Sequence, residues 1–131
     1  MNTNVSESIT PIEKLSDVAD PSFLTVAKEY INIDSGFAYA TWALETGYGT
    51  SNLWINSNNP AGIKCGVNYC LYGSKEEGYR AMFDLLVSYT NGNLLTVDQV
   101  RGRWSESDDS HKIVSIWNEI LKGEIKWNYK N

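Results

Sequence analysis

Ser35-Gly36-Phe37-Ala38-Tyr39-Ala40-Thr41-Trp42-Ala43-Leu44-Glu45 is the stretch whose reading decides the fold. It is the most apolar helix-length run in the chain, and its apolar residues fall nearly all round the helical wheel. Such a helix is stable only when neighbours cover every face, so it belongs at the centre of the domain. Gly47 and Gly49 follow and end it. The run therefore closes on a single carboxyl, Glu45, where an apolar helix meets a glycine-rich turn.

Working outward, the flanking elements announce themselves by their caps. Upstream, Thr10, Pro11 and Glu13 read as a capping box opening a short helix to about Val18. Asp20-Pro21 repeats that start signal, with Phe23, Val26, Ala27, Tyr30 and Ile31 on one helical face. Downstream, Thr50 or Ser51 caps a short helix, and Asn58-Asn59-Pro60-Ala61-Gly62 is a turn. Ile63 to Tyr72 reads as a small hairpin turning near Gly66-Val67-Asn68. Ser74 with Glu77 makes another capping box, and Tyr79, Met82, Phe83, Leu86 and Val87 carry that helix to about Tyr89. Thr96 with Gln99 opens a short helix ending near Arg103 or Trp104. Ile113, Ile116, Trp117, Ile120 and Leu121 form the clearest stripe; Gly123 stops it, and Asp108 and Asp109 favour its positive N-terminal end. The expected fold class is mainly α (α+β): helices around a central apolar helix, with one small β-hairpin.

Composition narrows the function. The 131 residues suit one domain over residues 11–131, with residues 1–10 as a flexible N-terminus. A net charge of -5 speaks against nucleic acid, which requires a basic stripe, and against electrostatic docking on anionic membranes or walls. No run approaches the apolar length that spans a bilayer, and the polar Met1–Ser8 segment is not expected to act as a signal peptide. Five Trp and eight Tyr are ample core material, and flat rings also suit the C–H faces of sugars. Trp42, Trp104 and Trp117 are assigned to the core; Tyr48 and Trp54, beside glycines after the Glu45 segment, are assigned to a cleft wall. Cys65 and Cys70 bracket a four-residue step, and a disulfide there would form in an oxidising setting. A metal site would need more ligands than these cysteines and the distant His111 supply. Asp108 and Asp109 read as helix-start residues, so no metal and no cofactor are expected.

Glu45 carries the chemistry. A carboxyl at the end of an apolar helix is partly withdrawn from water and lies near the helix's carbonyl end. Both influences favour the neutral acid. A carboxylic acid that keeps its proton near neutral pH is what a glycosidase needs to protonate a leaving oxygen. The plain alternative is a helix-end residue reaching solvent.

Ala43-Leu44-Glu45-Thr46-Gly47-Tyr48-Gly49-Thr50-Ser51 resembles the active-site signature of the bacterial N-acetylglucosaminidases of glycoside hydrolase family 73. Asn58-Asn59-Pro60-Ala61-Gly62-Ile63-Lys64 resembles that family's second signature, and Tyr72, Ser74, Glu77 and Gly78 the segment after it. The similarity runs from about Phe37 to Tyr89. It implies a lysozyme-like fold and cleavage of the β-1,4 glycan strand of peptidoglycan, at the cell wall and outside the cytoplasm, by a secreted or phage-associated enzyme. It implies Glu45 as general acid, the Asn-Asn-Pro turn as cleft floor, and Asn58, Asn59 and Tyr72 beside Tyr48 and Trp54 as substrate contacts. Asn58 and Asn59 have an equal claim to holding the turn through Asx bonds. Tyr89 is the candidate for the family's auxiliary tyrosine, with packing at a helix end as the alternative.

One departure stands out. Many family members carry a second carboxylate in the hairpin, yet Gly66 to Leu71 holds no acid. Glu77 is the next candidate, although a capping box also explains it. Water assisted by a tyrosine hydroxyl, the substrate's own acetamide, and the MurNAc hydroxyl all remain as attacking groups. The competing functions are a lytic transglycosylase or muramidase of the same fold, and a non-catalytic peptidoglycan-binding module. The chain is expected to act as a monomer or as part of a larger wall-lytic protein.

Overall fold

The computed structural model describes residues 10–92 and 108–123, with side chains over 10–92 and 111–123. The N-terminal segment, the helix expected from Thr96 to Trp104, and the side chains of Asp108 and Asp109 lie outside the described residues. A 3-10 turn, Ile12–Leu15, leads into α1 (Pro21–Ala27), α2 (Ser35–Thr46) and α3 (Asn52–Ser57). The hairpin β1 (Lys64–Cys65) and β2 (Asn68–Tyr69) follows, then α4 (Lys75–Thr90) and α5 (Asp108–Lys122). The architecture is mainly helical with one two-stranded antiparallel sheet, as expected of a lysozyme-like fold.

α2 is the central helix, for the reason its sequence gave. Gly36 through Ala43 are all buried. Asp34 caps its start by accepting from the Gly36 and Phe37 amides at 2.8 and 3.1 Å, and Gly47 ends it in the left-handed region at φ 59°. An Asp directly before an apolar run is a start signal, and the sequence expectation above does not include Asp34 as this cap. α2 packs along α5, where the Phe37 and Trp117 rings meet at a 32° tilt with centroids 5.3 Å apart. α1 packs along α4. Phe23 sits between them, edge-on to both Tyr39 and Tyr79. Arg80 of α4 is tied to the turn just after α1 by a two-pronged ion pair with Glu29 at 3.1 and 2.8 Å, outside the core.

Three expectations need correction. The Thr10 capping box does not form: the short turn has no side-chain cap and ends at Leu15. Thr10 instead turns inward and is buried. Its amide donates to Asp34 at 2.7 Å, and its hydroxyl accepts from the Trp117 indole at 2.8 Å. Those buried groups lose more if left unpaired than an exposed helix start loses without a cap. Ile31 is exposed, because α1 stops at Ala27 and the helical period stops with it; Ile33 enters the core instead. Within α5, Val114 is buried while Ile116 is only half-buried, so the stripe is wider than the sequence suggested.

Candidate active site

α2 and α4 each turn one face toward a cleft of about 200 Å³. From α2 come Phe37, Thr41 and Glu45, spaced four apart and therefore stacked along one side of the helix. From α4 come Met82, Leu85, Leu86 and Tyr89, again at helical spacing. Ala61 of the Asn-Asn-Pro turn and Ile113 of α5 complete the described lining. The cleft is apolar along its length, with Glu45 and Tyr89 supplying the titratable groups among the described residues. Apolar walls with a few convergent polar groups are the usual make-up of a small-ligand site.

Glu45 sits in the last turn of α2, where the buried helix emerges, and it is exposed. The burial expected for it is therefore not present in the free protein. Its neighbour Thr46 faces the opposite way and is buried. The Thr46 hydroxyl donates to the Trp42 carbonyl at 2.6 Å and accepts from the Gly49 amide at 2.8 Å. Gly47, Tyr48 and Gly49 then take positive φ in succession, at 59°, 58° and 86°. Two of these need glycine; Tyr48, which carries a side chain in that region, is locally strained. The Tyr48 phenol is half-buried, and burial, then the nearby Glu119 carboxylate, raises its pKa.

The Asn-Asn-Pro turn is held from both sides. Asn59 is fully buried; its Nδ2 donates to the carbonyls of Ile63 and Cys70 at 2.9 and 3.0 Å, and its Oδ1 accepts from the Ile63 amide at 3.0 Å. Of its two proposed roles the turn-holding one is realised, because the whole amide is turned inward. Asn58, in the left-handed region at φ 53°, donates to the Tyr72 carbonyl at 3.0 Å. Gly78 of α4 abuts the Asn58 carbonyl so closely that a Cβ there would lie 2.0 Å from its oxygen. The turn that brings Ala61 to the cleft is thus clamped between the hairpin and α4. The disulfide Cys65–Cys70 closes the hairpin, with Cα atoms 4.9 Å apart.

Trp54 is a further correction. It is buried, edge-on to Trp42 with centroids 6.1 Å apart and 4.9 Å from the Tyr79 centroid. It is core and not a cleft wall: α3 places it beneath the Gly49 turn rather than beside it. Glu77 lies at the start of α4 and not in the lining described. Its amide donates to Ser74 Oγ at 3.2 Å, and its carboxylate accepts from the Gly73 amide at 3.3 Å. That is cap chemistry, which fully accounts for it. Tyr72 is half-buried at the end of the hairpin, and burial raises its phenol pKa. Tyr89 is 58% exposed and shares the cleft with Glu45, as its candidate role requires. Among the described residues no cluster of three or more potential metal ligands occurs.

A family model described as mannosyl-glycoprotein endo-beta-N-acetylglucosaminidase, the glucosaminidase family, matches residues 21–125. The chain belongs to the glucosaminidase family. The match spans α1 to α5 and so includes every element that lines the cleft. It makes the protein a glycoside hydrolase. No curated protein and no solved structure matches the chain.

Proposed function

We propose that this glucosaminidase cleaves the β-1,4 glycan strand of peptidoglycan as an endo-β-N-acetylglucosaminidase, acting at the bacterial wall with Glu45 as its general acid. The observation that carries this reading is the convergence of Glu45, Tyr89 and the Ala61 turn on one cleft. A sugar strand lying there covers Glu45 and removes water from around it, which favours the protonated acid when substrate is bound.

Glu45 is the one carboxyl among the described residues that line the cleft. One carboxyl suffices when the substrate supplies the nucleophile. Glu45 gives its proton to the leaving oxygen as the acetamide oxygen closes on the anomeric carbon. Water then opens that ring, and its proton returns to the Glu45 carboxylate. The anomeric configuration is retained, and Glu45 acts first as acid and then as base. The Tyr89 hydroxyl orients the acetamide or the incoming water.

Digestion of purified peptidoglycan, with released ends identified by mass spectrometry and fresh product followed by NMR, tests this. Reducing GlcNAc ends of retained configuration are expected. Inverted product would replace the acetamide by water and a separate base; reducing MurNAc ends would make the enzyme a muramidase; anhydro-MurNAc ends would make it a lytic transglycosylase. Binding without release would make it a wall-binding module.

A further inference from the structure

The hairpin presents a surface that the cleft reading leaves unused. Val67 is 89% exposed, Tyr69 49% and Leu71 79%, while the intervening Cys70 is 5% exposed. Val67 lies in the hairpin turn, Tyr69 on β2 and Leu71 just past it, and the three form an outward ridge, while Cys70 is held inward by its disulfide and by the Asn59 bond to its carbonyl. Lys64 lies directly across from Tyr69 in register, its ammonium 5.4 Å from the ring centroid. The cation is exposed and joins no ion pair among the described residues. The net charge of -5 gives no long-range steering toward an anion, so the ridge favours an anionic ligand only at short range, where this exposed cation meets a carboxylate and the apolar side chains beside it pack on the ligand's own.

The ridge is continuous with the cleft. Gly62, next to the cleft-lining Ala61, sits against Tyr69: a Cβ at Gly62 would lie 3.9 Å from its ring. The ridge is also fixed in place. The disulfide closes its base, and Asn59 bonds the carbonyls at both of its ends, Ile63 and Cys70. A rigid, pre-positioned surface loses little freedom on binding.

We propose that Lys64, Val67, Tyr69 and Leu71 form a second substrate-contact surface for the carboxylate-bearing peptide branches of the wall polymer, while the cleft holds the sugar strand. Lys64 meets a peptide carboxylate, and the ridge packs on alanine-like side chains. This inference rests on the peptidoglycan reading above.

The direct test is an NMR titration of the full chain with a synthetic tetrapeptide of mixed L- and D-residues carrying two free carboxylates. Shift changes are expected at the amides of residues 64–71, with binding weakened about tenfold or more in Lys64→Glu and also weakened in the double variant Val67→Ser with Leu71→Ser. Spectra away from the hairpin serve as the control that each variant is folded. No shifts in the hairpin, or shifts that Lys64→Glu leaves unchanged, overturn the proposal. So does concentration-dependent broadening of the ridge without peptide, which marks a second copy of the chain as its occupant. A paired digestion separates this inference from the cleavage reading. Wild type should prefer intact peptidoglycan over glycan stripped of its peptides, and Lys64→Glu should lose that preference while keeping the rate on stripped glycan. Equal rates on both substrates overturn the peptide surface and leave the cleavage reading standing. Peptide binding without cleavage does the reverse.

Discussion

Asn59 is the residue on which the cleft floor depends. Replacing it with alanine strips its bonds from the Ile63 amide and the Cys70 carbonyl next to a buried side chain, while the Ile63 carbonyl keeps the Cys70 amide as a partner. A buried group left unpaired costs about 1–3 kcal/mol, so Asn59→Ala is expected to lose about 2–4 kcal/mol in a urea melt. A loss under about 1 kcal/mol, within the range of an ordinary surface change, would contradict the role. Tyr89→Phe tests the other wall: it removes only a hydroxyl from an exposed ring, so stability should hold and kcat should fall about tenfold or more with little change in KM. An unchanged kcat would reduce Tyr89 to a packing residue. At this scale the sequence was legible in kind but not in direction. Residue type shows that Asn59 has two donors and two lone pairs to place, not whether they face sugar or backbone. The apolar neighbours of Glu45 are visible in the sequence, but which side of the last helical turn surfaces is decided by where α4 and the Ala61 turn sit. Trp54 beside Gly49 suggested a stacking surface for a similar reason, because adjacency along the chain does not say which side of the turn is inside.

Among the elements, the approach of α4 to the Asn-Asn-Pro turn is the tightest point. Gly78→Ala puts a methyl group 2.0 Å from the Asn58 carbonyl oxygen, so helix or turn must move. The expected cost is about 1–3 kcal/mol, as for an overpacked core, with activity falling further than stability because Ala61 and Tyr89 separate. A variant as active and stable as wild type would show that the contact yields. α2 offers a pH test. Burial raises the Asp34 carboxyl above its ordinary value of 3.8, outweighing the bonds from Thr10, Phe37 and Gly36 that lower it. The folded state therefore binds this proton more tightly than the unfolded chain. Its contribution is fully favourable below 3.8 and is lost as pH rises through the native value. Relative to Asp34→Asn, which keeps a cap but does not titrate, wild type should lose stability as pH climbs through that window; a pH-independent difference would contradict the assignment. Helices were the legible elements, since α2, α4 and α5 carry unbroken apolar periodicity and their end signals agree with it. The Thr10 capping signal fails because it competes with a partner, Trp117, that only the folded chain supplies.

Across the whole molecule, one aromatic core runs through the domain. Trp42, Trp54 and Tyr79 lie in mutual contact, and Phe23 links them to α1. That core sets the distance between α2 and α4, and with it the cleft. The catalytic assignment therefore depends on packing far from Glu45, although it concerns a single proton. Glu45→Gln isolates that proton, because glutamine keeps the shape of an exposed side chain and removes the acid. The deciding measurement is the rate of reducing-end release from purified peptidoglycan by wild type and by Glu45→Gln. Loss of a positioned general acid predicts a fall of about two to four orders of magnitude, with the same thermal midpoint and retained binding to the wall. A variant within a few-fold of wild type would contradict the account, and the acid would have to be sought elsewhere in the chain.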